Sequence, residues 1–505
     1  MGGLFCGALL AKQGVQVTVL EKNTIAGGGL QCFKRNGVSY ETGMHVICGF
    51  QEGGALNRIC RYLGIYDKLR LQPMRDDAMD RVIYTDSEGH VSKEYELPQG
   101  RESFAVYLKE RFPEEAAGID SYLKDLYDMA DNLDLYHLRP TSVLTLQHPW
   151  MYRPVDEFIA HHVQDSHLRE VLAHHCPMYG GSVLSTPAYI HAAIQVLYIN
   201  GSQIFIGGSQ QLADALIDCI REHGGEVRTG DPVSHVEVKD RQVQWVETRS
   251  GRQFAANHYI SAIHPVSLFG LCNDGAFQKS YSNRLRSIPN TYSGFTCFYH
   301  FRPGRELKFE CPVYVLRDKA SVWDMYDYSS RHENRLKDGS SQPWPVGFMM
   351  VTPPGGQNTL SAVAPMMMSD CEEWADSRVG HRPEAYNRWK QQMLEAMTEA
   401  IVRLYPDFRE RIDSAFAASP LTVRDFYGVP EGSMYGYRKD SNNIILSQVP
   451  ARTKIGNLFL TGQNIGLHGI CGVPLTAIKT VEAILGRDAV LQYFNPSESG
   501  SDICF

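Results

Sequence analysis

The residues whose types and spacing carry the most specific chemistry stand at opposite ends of the chain. Near the start, Gly2 and Gly3 open a run in which Leu4, Phe5, Ala8, Leu9 and Leu10 recur at helical spacing, and Glu21 stands 18 positions after Gly3. In a dinucleotide-binding βαβ unit the third glycine of G-x-G-x-x-G opens a helix toward a pyrophosphate, and an acidic residue about 20 positions later accepts a ribose hydroxyl. Gly3 and Glu21 fit those two places, and the first strand and first two glycines of the pattern would then precede Met1. The same residues also fit an unrelated helix followed by a strand. Gly27, Gly28 and Gly29 follow directly, and consecutive glycines let a backbone approach a ligand or simply turn. At the far end, Thr461 to Gly472 holds four glycines ahead of a helix start, an anion-friendly concavity or an ordinary loop between strand and helix. His468 lies in that loop and His45 follows the glycine at 43; both are candidates for proton delivery or substrate orientation, with a structural hydrogen bond to backbone as the alternative.

These groups need elements to hold them. Gly14 ends the first helix, and Val15 to Leu20 is a mostly apolar, β-branched run that reads as a parallel strand covered on both faces. Asn457 to Leu460 reads as a buried strand, and the following helix is expected to begin near Val473, with Pro474 in its first turn and Gly486 at its end. Between them, Leu212, Leu216 and Ile220 mark a helix. Alternating runs at Val233 to Val238, Val243 to Thr248 and Tyr259 to Ile263 predict a three-stranded meander.

Composition narrows the classes. The 505 residues are 43% hydrophobic and 21% charged, as in an ordinary globular protein, and 49 basic against 57 acidic residues leave a net charge of −8 with no basic footprint for nucleic acid. The 12 cysteines form no C-x-x-C pair and read as reduced, mostly buried thiols. His161, His162, His167, His174 and His175 contain no pair at i,i+3 or i,i+4, so no metal site is expected and a polar helix face is. No run approaches the 18 or so apolar residues of a membrane span, which predicts a cytoplasmic chain, peripheral on a membrane at most. G-x-S-x-G and the P-loop pattern do not occur.

The ordered set Gly-Gly-Leu-Phe-Cys-Gly-Ala from Gly2, Val-Thr-Val-Leu-Glu-Lys-Asn at 17 to 23, Glu-Thr-Gly-Met-His at 41 to 45, Ile-Gly-Gly-Ser at 206 to 209 and Leu-Phe-Leu-Thr-Gly-Gln-Asn-Ile-Gly-Leu-His-Gly at 458 to 469 resembles the phytoene desaturase, carotenoid isomerase and retinol saturase family of FAD-dependent oxidoreductases. The resemblance spans nearly the whole chain. It implies an α/β fold: a Rossmann-like FAD domain assembled from 1–70, 200–280 and 440–505, with an inserted α+β substrate domain from 70–200 and 280–440. It also implies that Gly2, Gly3 and the helix behind them face the pyrophosphate, that Glu21 with Lys22 beside it holds the adenosine ribose, and that Gly27 to Gly29 line the phosphate passage. Val236 would lie by the adenine, and Gly462, Asn464, Gly472 and Val473 would flank the flavin. The implied partner is a lipophilic small molecule, reached through an apolar interior, with NAD(P) as an electron partner. Two other readings stay open, an amine- or porphyrinogen-oxidase-like flavoenzyme and a non-redox prenyl-lipid binder of the same fold.

Overall fold

The computed structural model describes residues 1–43, 46–140, 148–317, 320–325, 344–354 and 358–495. Helix α1 (Gly2–Lys12) is apolar on every side and buried along most of its length, as suits a helix enclosed between other elements rather than one lying on a surface. Gly7 permits this: a Cβ there would come within 3.0 Å of Ile220 Cδ1 and 3.1 Å of Val19 Cγ2. Gly14, at φ +78°, turns the chain out of the helix into strand β1 (Thr18–Leu20). That strand is shorter and more exposed than the sequence suggests, and it pairs in parallel with Glu226–Arg228, Thr18 opposite Glu226.

A second parallel pair joins Tyr259–Ser261 to Leu458–Leu460. The meander therefore differs from expectation: its third strand is Gln253–Phe254, and the Tyr259 run leaves it. The cause is Asn457, whose backbone oxygen accepts from Tyr259 N at 2.8 Å while its side chain bridges both backbone groups of Val243, so the C-terminal strand takes Tyr259 as its neighbour.

The C-terminal helix runs Gly469–Leu485, starting four residues before Val473, so that Pro474 falls in its second turn. Proline there lacks the N–H that would bond Ile470 O. Hydroxyls in the same turns stiffen the segment: Thr476 Oγ1 donates to Gly472 O at 3.1 Å, and Thr480 Oγ1 to Leu460 O at 3.0 Å. Gly486, at φ +114°, ends the helix as expected.

The other large unit is a seven-stranded sheet ordered Ile412–Ala418, Ser293–Phe301, Thr359–Met366, Gly347–Val351, Val313–Arg317, Asp80–Thr85 and Val91–Leu97. Only the Val313–Arg317 and Asp80–Thr85 neighbours are parallel. Side chains alternate with the pleat. Ile83, Val313 and Val315 join the core under helix Glu384–Leu404, whereas Val82, Tyr84, Tyr314 and Leu316 face helices Ala116–Asp131, Val155–His162 and Ala188–Asn200. Cover on both faces is why these strands read as nearly continuous apolar runs. The eleven described cysteines are free thiols, eight of them buried, and Cys504 lies outside the described residues.

Candidate functional site

Two helix N-termini converge. No side chain caps α1 at Met1 or the C-terminal helix at His468, so each presents its first backbone N–H groups and the positive end of its dipole. They are close-packed: a Cβ on Gly2 would lie 3.0 Å from Gly462 Cα, and Cys6 Sγ donates to Thr461 Oγ1 at 3.3 Å. Gly27 and Gly28 adopt φ of +130° and +57°, and a Cβ on Gly28 would sit 3.6 Å from the Met1 nitrogen. The glycine run thus lies beside the mouth of α1. Gly29 faces Tyr427, whose hydroxyl would be 3.7 Å from a Cβ at that position.

Glu21 stands at the end of β1. Its N–H donates to Arg228 O at 2.8 Å, and its carboxylate accepts from Asn23 N at 2.8 Å, which leaves further lone pairs for a hydroxyl. Lys22 points elsewhere: Nζ donates to Asp425 O at 2.9 Å, tying this turn to the helix Pro420–Tyr427. Val236 is buried among Val238, Val243 and Leu268, and its N–H is taken by Leu271 O at 2.8 Å.

At the other end Asn464 is buried, and its Oδ1 accepts from Tyr437 N at 3.0 Å. The loop at Gly436 closes so tightly on it that a Cβ there would be 2.3 Å from Asn464 Oδ1. Gly472 packs against Leu467, with Val473 following partly exposed. His468 packs against the ring of Tyr435, 5.2 Å between centroids, and its Nε2 is enclosed without a partner. Burial, with the Lys439 charge in the same sense, holds this imidazole down to about 3, so at neutral pH it is an uncharged ring suited to a hydrogen bond and poorly suited to giving up a proton. His45 lies outside the described residues.

The uncapped helix ends, the glycine contacts between them, the free lone pairs of Glu21 and the enclosed His468 Nε2 fit an extended dinucleotide with anionic groups at two helix ends. Sequence reasoning missed Tyr435, Gly436, Tyr437 and Cys471, whose Sγ donates to Cys48 O at 2.9 Å. Nothing in their local pattern singles them out, because the contact that matters is with a loop remote in sequence.

The histidine stretch departs most from expectation. It is not a polar face: His162, His174 and His175 are buried, and the last two meet the equally buried Asp80. The turn after helix Ser166–Leu172 points them inward, which helical spacing could not reveal.

Comparison with known proteins gives this geometry its context. The family described as flavin containing amine oxidoreductase matches residues 1–303. All-trans-retinol 13,14-reductase of Homo sapiens is 27% identical over 96% of this chain and 84% of its own. Prolycopene isomerase 1, chloroplastic, of an Oncidium hybrid cultivar is 26% identical over 54% of this chain and 48% of its own. An oxidoreductase from Methanosarcina mazei shares the fold, with a TM-score of 0.63 at 16% identity, covering 95% of this chain and 98% of that one. With the family match running through all of 1–303, more than half of the chain, the chain belongs to the flavin containing amine oxidoreductase family and is a flavin-dependent oxidoreductase.

Proposed function

We propose that the chain is an FAD-dependent oxidoreductase acting on C–C or C=C bonds of an isoprenoid or polyene lipid, by desaturation, saturation or isomerisation. The observation that carries this reading is the extent of the likeness to all-trans-retinol 13,14-reductase: it covers 96% of the chain, the seven-stranded sheet and its helices included, and so is not confined to the cofactor part. NAD(P) is the proposed electron partner.

When bound, FAD supplies hydride chemistry, and the protein supplies position, electrostatics and exclusion of water. On this reading Gly2, Gly3 and the N–H groups behind them bind the pyrophosphate, Glu21 accepts from the ribose, and Gly27 to Gly29 give the phosphates a passage free of side chains. Lys22 secures the turn and Val236 lies on the adenine side. The N-terminus of Gly469–Leu485, with Gly462, Asn464, Gly472 and Val473, offers N–H groups and a positive dipole to the pyrimidine edge, where negative charge develops on reduction. His468 orients. The interior between the sheet and helices Ala116–Asp131 and Ala188–Asn200 is apolar and aromatic, which keeps water from the reacting bond. A lipophilic substrate also argues for peripheral contact with a bilayer.

The test is anaerobic. Protein loaded with FAD and reduced with dithionite should convert all-trans-retinol or prolycopene to a product of altered polyene absorbance, with reoxidation of the flavin where the bond is saturated and none where it is isomerised. Inertness toward every polyene combined with flavin reduction by putrescine would replace this reading with amine oxidation.

A further inference from the structure

Chemistry at a C=C bond moves a proton as well as electrons, and the neutral His468 is a poor source of one. A second buried polar group offers a better source. Asp80 opens its strand on the same face as Val82 and Tyr84, in the layer between the sheet and the helices, and is 0% exposed. A carboxylate in such a place requires a partner. His175 Nε2 stands 2.9 Å and His174 Nε2 3.3 Å from the same oxygen, Oδ2. Burial pushes the Asp80 carboxyl up, and the two rings more than reverse this, so it remains an anion.

The other ring nitrogens show what the cluster lacks. His174 Nδ1 faces Val171 O at 2.8 Å, and His175 Nδ1 faces Gln195 Oε1 at 2.8 Å. A carbonyl oxygen only accepts, so each Nδ1 carries hydrogen, and in a neutral ring Nε2 would then turn a lone pair toward the carboxylate. Three acceptors cannot converge in an apolar interior unless a cation stands among them. A metal ion fits badly: ring centroids only 3.8 Å apart would force the two Nε2 ligands to an angle of roughly 75° at bonds of about 2.0–2.1 Å, tighter than tetrahedral or octahedral coordination. One added proton fits well, at the shorter His175 contact, and balances the single buried negative charge. The longer His174 contact is the one left without it.

Among the described residues, the titratable groups packed on the cluster are held neutral. Tyr198 lies tilted against His175 at 4.4 Å and Tyr314 lies 5.2 Å from His174; burial keeps both phenols, with Cys48, well above their ordinary values. Burial pushes Cys311 up to about 12 and His191 down to about 3, so all these groups are neutral near pH 7. Three enclosed atoms have no partner, Asp80 Oδ1, Gln195 Nε2 and Tyr314 Oη. A cavity of about 360 Å³, in the range of small-molecule sites, is lined by Val46, Met74 and Cys311 together with the charged Arg75, Glu306, Lys308 and Glu310, and Tyr198 donates to the oxygen of that same Val46 at 3.2 Å. Two residues on, Cys48 O takes the hydrogen bond from Cys471 in the first turn of the C-terminal helix. The cluster thus sits between a cavity and the flavin end of the site.

We propose that Asp80, His174 and His175 form the proton store of the substrate chamber, holding one proton at neutral pH and exchanging it with a polyene carbon. This rests on the polyene reading above. Saturating a C=C bond forms two C–H bonds. One takes a hydride from reduced flavin; the other takes the stored proton, bonded through the electron pair left on the second carbon as the π bond breaks, and water then returns a proton to the cluster. A reduced nicotinamide supplies the two electrons.

The test begins without substrate, on the full chain loaded with FAD and labelled with nitrogen-15 in histidine. One ring protonated at both nitrogens should be seen at about pH 7, and it should vanish in His175→Gln and become neutral in Asp80→Asn. Two neutral rings in the wild type, as when the Gln195 amide instead donates to Nδ1, would overturn the proposal even if the variants fail to fold. So would capture of both Nε2 atoms by equimolar zinc. With all-trans-retinol as probe, Asp80→Asn should slow reoxidation of the reduced flavin by about 10²-fold or more, with FAD binding and dithionite reduction unchanged and partial recovery in Asp80→Glu. A doubly protonated ring in a protein inert to every polyene would sink the functional reading, and with it the transfer to a polyene carbon, while the protonated cluster itself would stand.

Discussion

Glu21 shows what a single residue reveals in sequence and what it does not. Its spacing from Gly3 singles it out as a candidate for the ribose, and the fold places it at the end of β1 with lone pairs to spare. Glu21→Ala should weaken FAD binding by about 1.5–3 kcal/mol, the range for a hydrogen bond to a charged group; titrating apoprotein with FAD measures it, and unchanged affinity would move the ribose contact elsewhere. Asp80, His174 and His175 were illegible for the opposite reason: their partnership is made across 94 residues of chain. His191 is a third case. Both its nitrogens are engaged, by Tyr122 Oη at 2.7 Å and Tyr179 Oη at 3.2 Å, and burial followed by the two cluster rings depresses it from 6.5 to about 3. The unfolded chain takes up a proton below about pH 6.5 and the folded one does not, so stability is complete above that pH and falls progressively down to about 3. His191→Gln should lower the melting temperature at neutral pH and flatten its decline through that window; a parallel decline in both proteins would contradict the assignment.

At the scale of elements, the sequence was most legible where the local signal and the fold agree. Glycine 14 and glycine 486 end their helices where positive φ requires glycine. It was least legible where a remote contact overrides a local preference. Proline at 474 argues for a helix start nearby, yet the first turn begins at Gly469 because Gly472 packs on Leu467 too closely for any side chain: a Cβ would lie 2.6 Å from Leu467 C. Substitutions separate the two effects. Gly472→Ala should displace the first turn, costing about 1–3 kcal/mol as overpacking does, and the protein should lose flavin on gel filtration. Gly469→Ala meets nothing within 4 Å and strains only its φ of +73°, by roughly 1–2 kcal/mol. It should melt slightly lower and keep its flavin. Equal flavin loss in both would mean that the loop's flexibility, and not its packing, holds the pyrimidine edge.

At the scale of the whole molecule, the proposed function pairs a lipid substrate with a chain in which, among the described residues, no helix is long and apolar enough to cross a membrane. The net charge of −8 gives no general attraction to anionic headgroups, so the peripheral contact proposed above would have to come from apolar side chains that reach into lipid. Two stand together. Leu184 is 59% and Ile445 83% exposed, and their loops are joined by Asn442 Nδ2 donating to Leu184 O at 2.9 Å. Helix Ala188–Asn200, which begins just beyond Leu184, carries Gln195 and Tyr198 to the buried cluster, so one helix links this edge to the proposed proton store. Burying two such side chains is worth about 3–6 kcal/mol in all, enough for reversible attachment and too little for anchoring. Liposome flotation should therefore recover part of the protein with neutral vesicles, equally well in about 0.5 M salt, where the screening length falls to a few Å. Replacing both Leu184 and Ile445 by serine should release it without lowering the melting temperature, since neither side chain is packed. Flotation that salt abolishes would point to charge, and flotation that survives both substitutions would place the contact on another face.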